Sequence, residues 1–296
     1  MKTTLFAVAV CGLFALTSCA EQDNLLSEQA QPLSETNFIV DENEDGNTNL
    51  PSLDVDEVDM YTNVDESLGL DFSSVDKQEV ARPDGTTDIV YVIEDDIALS
   101  EEEFNSLRQM DDAMLKQYRT NNLVSIGTIN VIGYTGGGGF GLSPNMRTGL
   151  QWAVNNYNRI NINKRFNLSF RASTAADIVV YRQPNNSGAG GQAGFPSGGR
   201  PFKWVQIYTG MDRRDNNTNE HVITHEIGHS MGLRHTDWFS RQSCRQSGES
   251  AGSTGAVHIP GTPTGFDANS VMLACFGSGE DGEFGRFDVV ALERIY

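Results

Sequence analysis

From residue 20 to about 75, single apolar residues are scattered among Asp, Glu, Asn, Ser and Gln without a sustained period. That texture predicts a largely disordered tether. It changes near Asp88. Ile89 to Ile93 form a short apolar run that reads as a strand, and Ser100 with Glu103 forms a capping box opening a helix expected to reach about residue 118. From about Leu123 strand-like and helix-like segments alternate, as in an α/β domain. Strands are predicted at 124–134, 167–172, 177–182 and 203–209. Ser143-Pro144 starts a helix in which Met146, Leu150, Ala153, Val154 and Tyr157 recur at three- and four-residue steps, giving one apolar face. Two glycine-rich stretches, 136–139 and 187–199, read as loops. The first lacks the Lys and Ser/Thr that a phosphate-binding loop requires.

The N-terminus adds a targeting signal to this picture. Lys2 precedes an apolar stretch over residues 5–16, too short for a permanent membrane span. Leu16-Thr17-Ser18-Cys19 resembles a bacterial lipobox, which would leave Cys19 as a lipidated N-terminus. The expected location is a bacterial outer membrane or cell surface, with membrane contact through that lipid alone. The alternative is an ordinary secretory signal cleaved near Ala20. The boundaries that follow are a signal peptide at 1–18, an acidic tether or pro-segment at 19–87, a small subdomain or prodomain end at 88–122, and a catalytic domain at 123–296.

Charge divides the chain at the same place. Residues 20–122 hold 27 acidic and 5 basic side chains, residues 123–296 hold 13 and 15, and the whole chain carries −19. The acidic part would repel phosphates, so nucleic acid is excluded as its partner. Cys11 leaves with the signal and Cys19 takes the lipid, so Cys244 and Cys275 remain. In an exported protein that pair is expected to form one disulfide.

The chemistry lies in His225-Glu226-Ile227-Gly228-His229 and the following Ser230-Met231-Gly232-Leu233-Arg234-His235. On a helix, His225 and His229 share a face and can present imidazole nitrogens to one ion. His235 cannot reach that ion along the same straight helix. Gly232 resolves this by adopting a left-handed conformation that ends the helix and turns the chain back. Three imidazoles leave a position for water, as a catalytic zinc requires, and Glu226 is placed beside the metal to act as general base. Three of the chain's 5 histidines fall within this segment. His221, one turn earlier, is expected to be exposed. His258 is expected to be structural.

The extended motif resembles the metzincin zinc peptidases. Within that clan, the His225–His229 segment followed by Arg234-His235-Thr236-Asp237-Trp238 is similar to the dual-action HEIGH metallopeptidases, the family of myxobacterial protease B. Residues 259–265 and the closing 287–296 carry further similarity. The resemblance implies an α/β (α+β) fold: a five-stranded twisted mixed sheet with a backing helix, an active-site helix, and a small C-terminal lobe with a terminal helix. It also implies a methionine on a tight turn beneath the metal, for which Met272 in Ser270-Val271-Met272 is the candidate. The activity implied is zinc-dependent endopeptidase, acting on peptides or proteins. The alternative is a surface-anchored binding or scaffold protein with a silent zinc site. Structural calcium is left open. Such folds bind substrate by antiparallel pairing along the strand nearest the cleft, placed here within 190–197. Two departures stand out. Where some metzincins have a metal-binding Tyr, this chain has Ala274. No cysteine occurs in residues 20–243 to block the metal, so an inhibitory N-terminal segment would have to use one of its 27 carboxylates.

Overall fold

The computed structural model describes residues 75–93, 96–107, 119–245, 255–263, 265–277 and 279–296. The signal segment, Cys19, the tether through residue 74 and the helix extension over 108–118 lie outside them. The described residues all belong to one compact unit. None of their helices is long and apolar enough to cross a membrane.

The first element group is a three-stranded antiparallel sheet of β1 (Val75–Ala81), β2 (Thr87–Ile93) and β3 (Ile97–Leu99), followed by helix α1 (Glu101–Leu107). Side chains alternate across a strand, so β2 serves two cores at once. Tyr91 and Ile93 join Ile97, Leu99, Phe104 and Phe195, while Val90 and Val92 join Val80 and Ala98. From Val90 to Ile93 the strand is buried on both sides, which explains the apolar run there, while Ile89 at the start of the run is exposed. The described structure starts with β1 at Val75, ahead of the change in texture near Asp88. Polar Asp76, Lys77, Gln78 and Glu79 occupy the middle of β1, an edge strand whose pairing comes from backbone hydrogen bonds that leave no hydrophobic trace. At α1, Ser100 Oγ accepts from the Glu103 N–H and Glu103 Oε2 accepts from the Ser100 N–H, completing the capping box.

The second sheet has five strands in the order β5-β4-β6-β8-β7: β4 (Thr128–Tyr134), β5 (Arg165–Arg171), β6 (Ile178–Gln183), β7 (Gly191–Gln192) and β8 (Trp204–Tyr208). All neighbours are parallel except β7, which runs antiparallel to β8 and forms one edge. The predicted strand at 124–134 is shorter than its apolar run. Before Thr128 the chain departs from the ladder to pair elsewhere, the Ser125 N–H donating to Gly199 O at 2.8 Å.

Helix α2 (Pro144–Arg159) packs its stripe of Met146, Leu150, Ala153, Val154 and Tyr157 into the main core and is N-capped by Ser143. Helix α3 (Asn216–Ser230) is different in kind. Asp215 caps it, accepting from the Thr218 N–H at 2.8 Å, but nearly every residue from Thr218 to Ser230 is buried. It has no solvent face to alternate with a core face, so hydrophobic periodicity cannot reveal it. After α3 a smaller lobe contains a turn of 3-10 helix at Gln242–Cys244, a Cys244–Cys275 disulfide and the terminal helix α4 (Arg286–Ile295). Ala291 and Leu292 of α4 join the main core beside Val271 and Met272.

Candidate metal centre

The end of α3 is set by Gly232, whose φ of 99° lies in the left-handed region. Its N–H donates to His229 O at 2.8 Å and the Leu233 N–H donates to Gly228 O at 2.9 Å, the paired bonds of a Schellman stop. An L side chain at this position would be strained by its backbone, and its Cβ would press on Thr120 Oγ1 and Asn122 O. The turn returns His235 to the face of α3 that carries His225 and His229. His235 Nε2 lies 3.2 Å from His229 Nε2 and 3.3 Å from His225 Nε2.

Two of these rings have a fixed tautomer. His225 Nδ1 lies 2.9 Å from Val271 O and His229 Nδ1 lies 2.8 Å from Leu233 O. A carbonyl only accepts, so Nδ1 carries the proton in each ring and a lone pair is left at Nε2. Lone pairs converging at such distances repel one another unless a cation or a proton lies between them. Nitrogens about 2.0–2.1 Å from a tetrahedral zinc would stand about 3.3 Å apart, and the observed spacings fit that set.

The support behind His225 comes from the other lobe. Asp288 on α4 accepts from the Ser270 hydroxyl at 2.6 Å, from the Val271 N–H at 2.9 Å and from the Gly285 N–H at 2.9 Å. Ser270 Oγ accepts from the Met272 N–H in turn. The buried α4 carboxyl thus shapes the 270–272 turn whose Val271 carbonyl holds His225. Burial pushes Asp288 up to about 6, although these hydrogen bonds pull the other way. Met272 is buried beneath α3, its Sδ occupying the space where a Cβ on Gly228 would sit. Its carbonyl accepts from the Thr236 N–H, one residue past His235.

Glu226 follows His225 and turns to β7, where a Cβ on Gly191 would meet its Cγ at 2.7 Å. The glycine at 191 therefore makes room for this carboxylate. Glu226 is buried, and its Oε2 has no hydrogen-bond partner among the described residues. Burial raises it well above the usual carboxylate range, and the nearby Asp96 carboxyl raises it further. A small, mostly apolar pocket adjoins the turn that carries His235, lined by Leu233, Thr236, Ile259, Met272 and Phe287 among others.

Residues 90–296 match the family model described as dual-action HEIGH metallo-peptidase. The chain belongs to that family. Two solved structures of myroilysin are similar over 57% of this chain: one at 16% identity over 80% of its own length with a TM-score of 0.36, the other at 17% over 83% with 0.35. Among curated proteins no relative matches.

Two features of this HEIGH metallopeptidase differ from what its sequence suggests. His221 is buried rather than exposed: α3 is covered on all sides, and the His221 ring packs 5.4 Å from that of Phe276. Burial, with a smaller contribution from His225, lowers it to about 3. The second feature is Asp96, whose Oδ2 lies 2.5 Å from His235 Nε2 and 3.2 Å from His229 Nε2. No spacing links it to the histidine motif, and in sequence it is one acidic residue among many. Burial alone would raise the Asp96 carboxyl, but the imidazoles around it hold it well below the usual carboxylate range. His258 stays away from the imidazoles, its Nε2 lying 3.0 Å from Thr262 O.

Proposed function

We propose that this metallopeptidase is a zinc-dependent endopeptidase in which His225, His229 and His235 hold the metal and Glu226 is the general base. The observation that carries this reading is the convergence of the Nε2 atoms of the three imidazoles beside a buried carboxylate with an unpartnered oxygen. A borderline-soft divalent ion suits an all-imidazole set, and three protein ligands leave room for the reacting groups. Bound zinc supplies Lewis acidity, lowering the pKa of water towards 7 and polarising a carbonyl.

The protein's own groups do the rest. Glu226 takes the proton from the attacking water and passes it to the leaving amine. The Val271 and Leu233 carbonyls keep His225 and His229 in the tautomer that offers Nε2. The mostly apolar pocket adjoining the His235 turn suits an apolar side chain of a peptide substrate. With alanine at position 274, oxyanion stabilisation is left to the metal and backbone donors.

Glu226→Gln is the decisive variant. It is expected to keep one equivalent of zinc while hydrolysing a denatured protein about 10²- to 10⁴-fold more slowly, the usual contribution of a general base. Undiminished hydrolysis would exclude the assigned role. Stoichiometric zinc without cleavage of any peptide by the wild-type chain would favour the silent-site alternative. Lipid attachment at Cys19 and an outer-membrane or cell-surface location belong to the same proposal, and the intact mass of the mature protein tests them.

A further inference from the structure

Among the described residues, Asp96, His225, His229 and His235 form one potential metal-binding set, with a donor atom from each lying within 4.8 Å of the others. The third distance from Asp96 Oδ2, to His225 Nε2, is 3.6 Å. Three nitrogens and one oxygen so placed are a complete set for a four-coordinate ion, and a closed set leaves no position for water. Building on the zinc-peptidase reading above, we propose that Asp96 is the fourth metal ligand of the intact chain and that residues 75–107 are a built-in inhibitor whose strand occupies the place of a peptide.

The backbone on either side of Asp96 supports this. The Ala193 N–H donates to Asp96 O at 3.2 Å and the Ala98 N–H donates to Ala193 O at 3.1 Å, with Ile97 and Ala193 paired in parallel. The segment therefore continues the sheet just past the end of β7, in the way an extended peptide adds to a free strand edge. What it presents to the imidazoles is a side-chain carboxylate oxygen, so it fills the site without offering a peptide bond there.

The strand is also anchored. Ile97, Leu99, Tyr91, Ile93 and Phe104 close around Phe195, with Tyr91 and Phe104 stacked at 4.3 Å. On the other side Arg82, only 2% exposed, donates to the Tyr181 hydroxyl at 2.8 Å and lies over the Trp204 ring. These contacts join the three-stranded sheet to β6, to β8 and to the segment after β7.

The test uses the intact chain, verified by mass and loaded with cobalt(II) in place of zinc, with acetohydroxamate as a small metal-binding probe. In the wild-type chain the visible absorption of cobalt should resist the probe. In Asp96→Ala and in the near-isosteric Asp96→Asn the probe should shift the spectrum at a concentration about 100-fold lower, corresponding to a wild-type open fraction of about 1%. Peptide hydrolysis should rise by a similar factor. If the wild-type chain binds the probe as tightly as the variants, Asp96 is not a ligand and the proposal is overturned, whatever the activity. If the variants bind the probe and hydrolyse nothing, the ligand assignment stands and the peptidase reading falls. Should Asp96→Ala fail to fold, Asp96→Asn decides the comparison. Probe binding by the wild-type chain at the affinity of an open site overturns the proposal independently of either variant.

Discussion

Helix α3 and the turn after it fix their imidazoles from behind, through the Val271 and Leu233 carbonyls and the Gly232 stop. Asp96 instead arrives just ahead of a three-residue strand, held by backbone pairing to Ala193 and by the packing of a small sheet. The imidazole cage is part of the main core, whereas the carboxylate belongs to an element docked against it. Such a difference suits a metal that stays and a blocking group that leaves. The two regions should therefore respond to different substitutions.

The largest separation is expected from Arg82→Ala, which removes a buried guanidinium from Tyr181 and Trp204 and leaves a hydroxyl short of its partner. It should weaken docking of the three-stranded sheet by about 3 kcal/mol. Hydroxamate binding should then rise with zinc content unchanged; loss of zinc instead would mean that the two regions are not separable.

Asp288→Ala tests the opposite region. It leaves the Ser270–Met272 turn without its buried acceptor, so His225 loses its support and zinc affinity should fall about 10- to 100-fold in a competition titration. Unchanged affinity would show that Val271 holds its place without α4.

His221→Phe probes the all-round burial of α3 through pH. The folded pKa of His221 is lowered to about 3 from 6.5, so between these values the unfolded chain binds the extra proton. Its contribution to stability is complete above about pH 6.5 and is lost as pH falls towards 3. Relative to the variant, the wild-type chain should lose about 2 kcal/mol between pH 7 and pH 5 in denaturant titrations. Parallel pH profiles would mean that His221 takes up its proton while folded. Gly232→Ala should have the smallest effect, about 1–2 kcal/mol from the strained φ, read as a lowered Tm.

Legibility in the sequence followed the same division. Helix α2 could be read from its apolar stripe because one side of it meets solvent. The strands β4, β5, β6 and β8 were legible for most of their length. Helix α3 was not legible by periodicity, since polar and apolar residues are alike buried on it. It was found through chemistry, because His225, His229 and His235 have a spacing that only a metal explains. The resemblance of Ser270-Val271-Met272 to a metzincin turn pointed to the structure under the site. Asp288 behind that turn carries no local signature. Nor does Asp96. Its place depends on tertiary docking over more than a hundred residues of chain, and neighbouring carboxylates look the same in sequence. The polar β1 escaped notice for a related reason, as its stability lies in backbone pairing and in Arg82.

The way β1 to β3 pack also bears on how activity would depend on protein concentration. The segment is held by two apolar clusters and by Arg82, none of which is cut when the backbone is severed after α1. A single nick would turn a tethered ligand into a bound one, exchanging a high effective concentration for an ordinary dissociation equilibrium. Concentrated samples of nicked protein would stay silent and diluted ones would awaken, so the onset of hydrolysis would follow dilution as well as the time of cleavage.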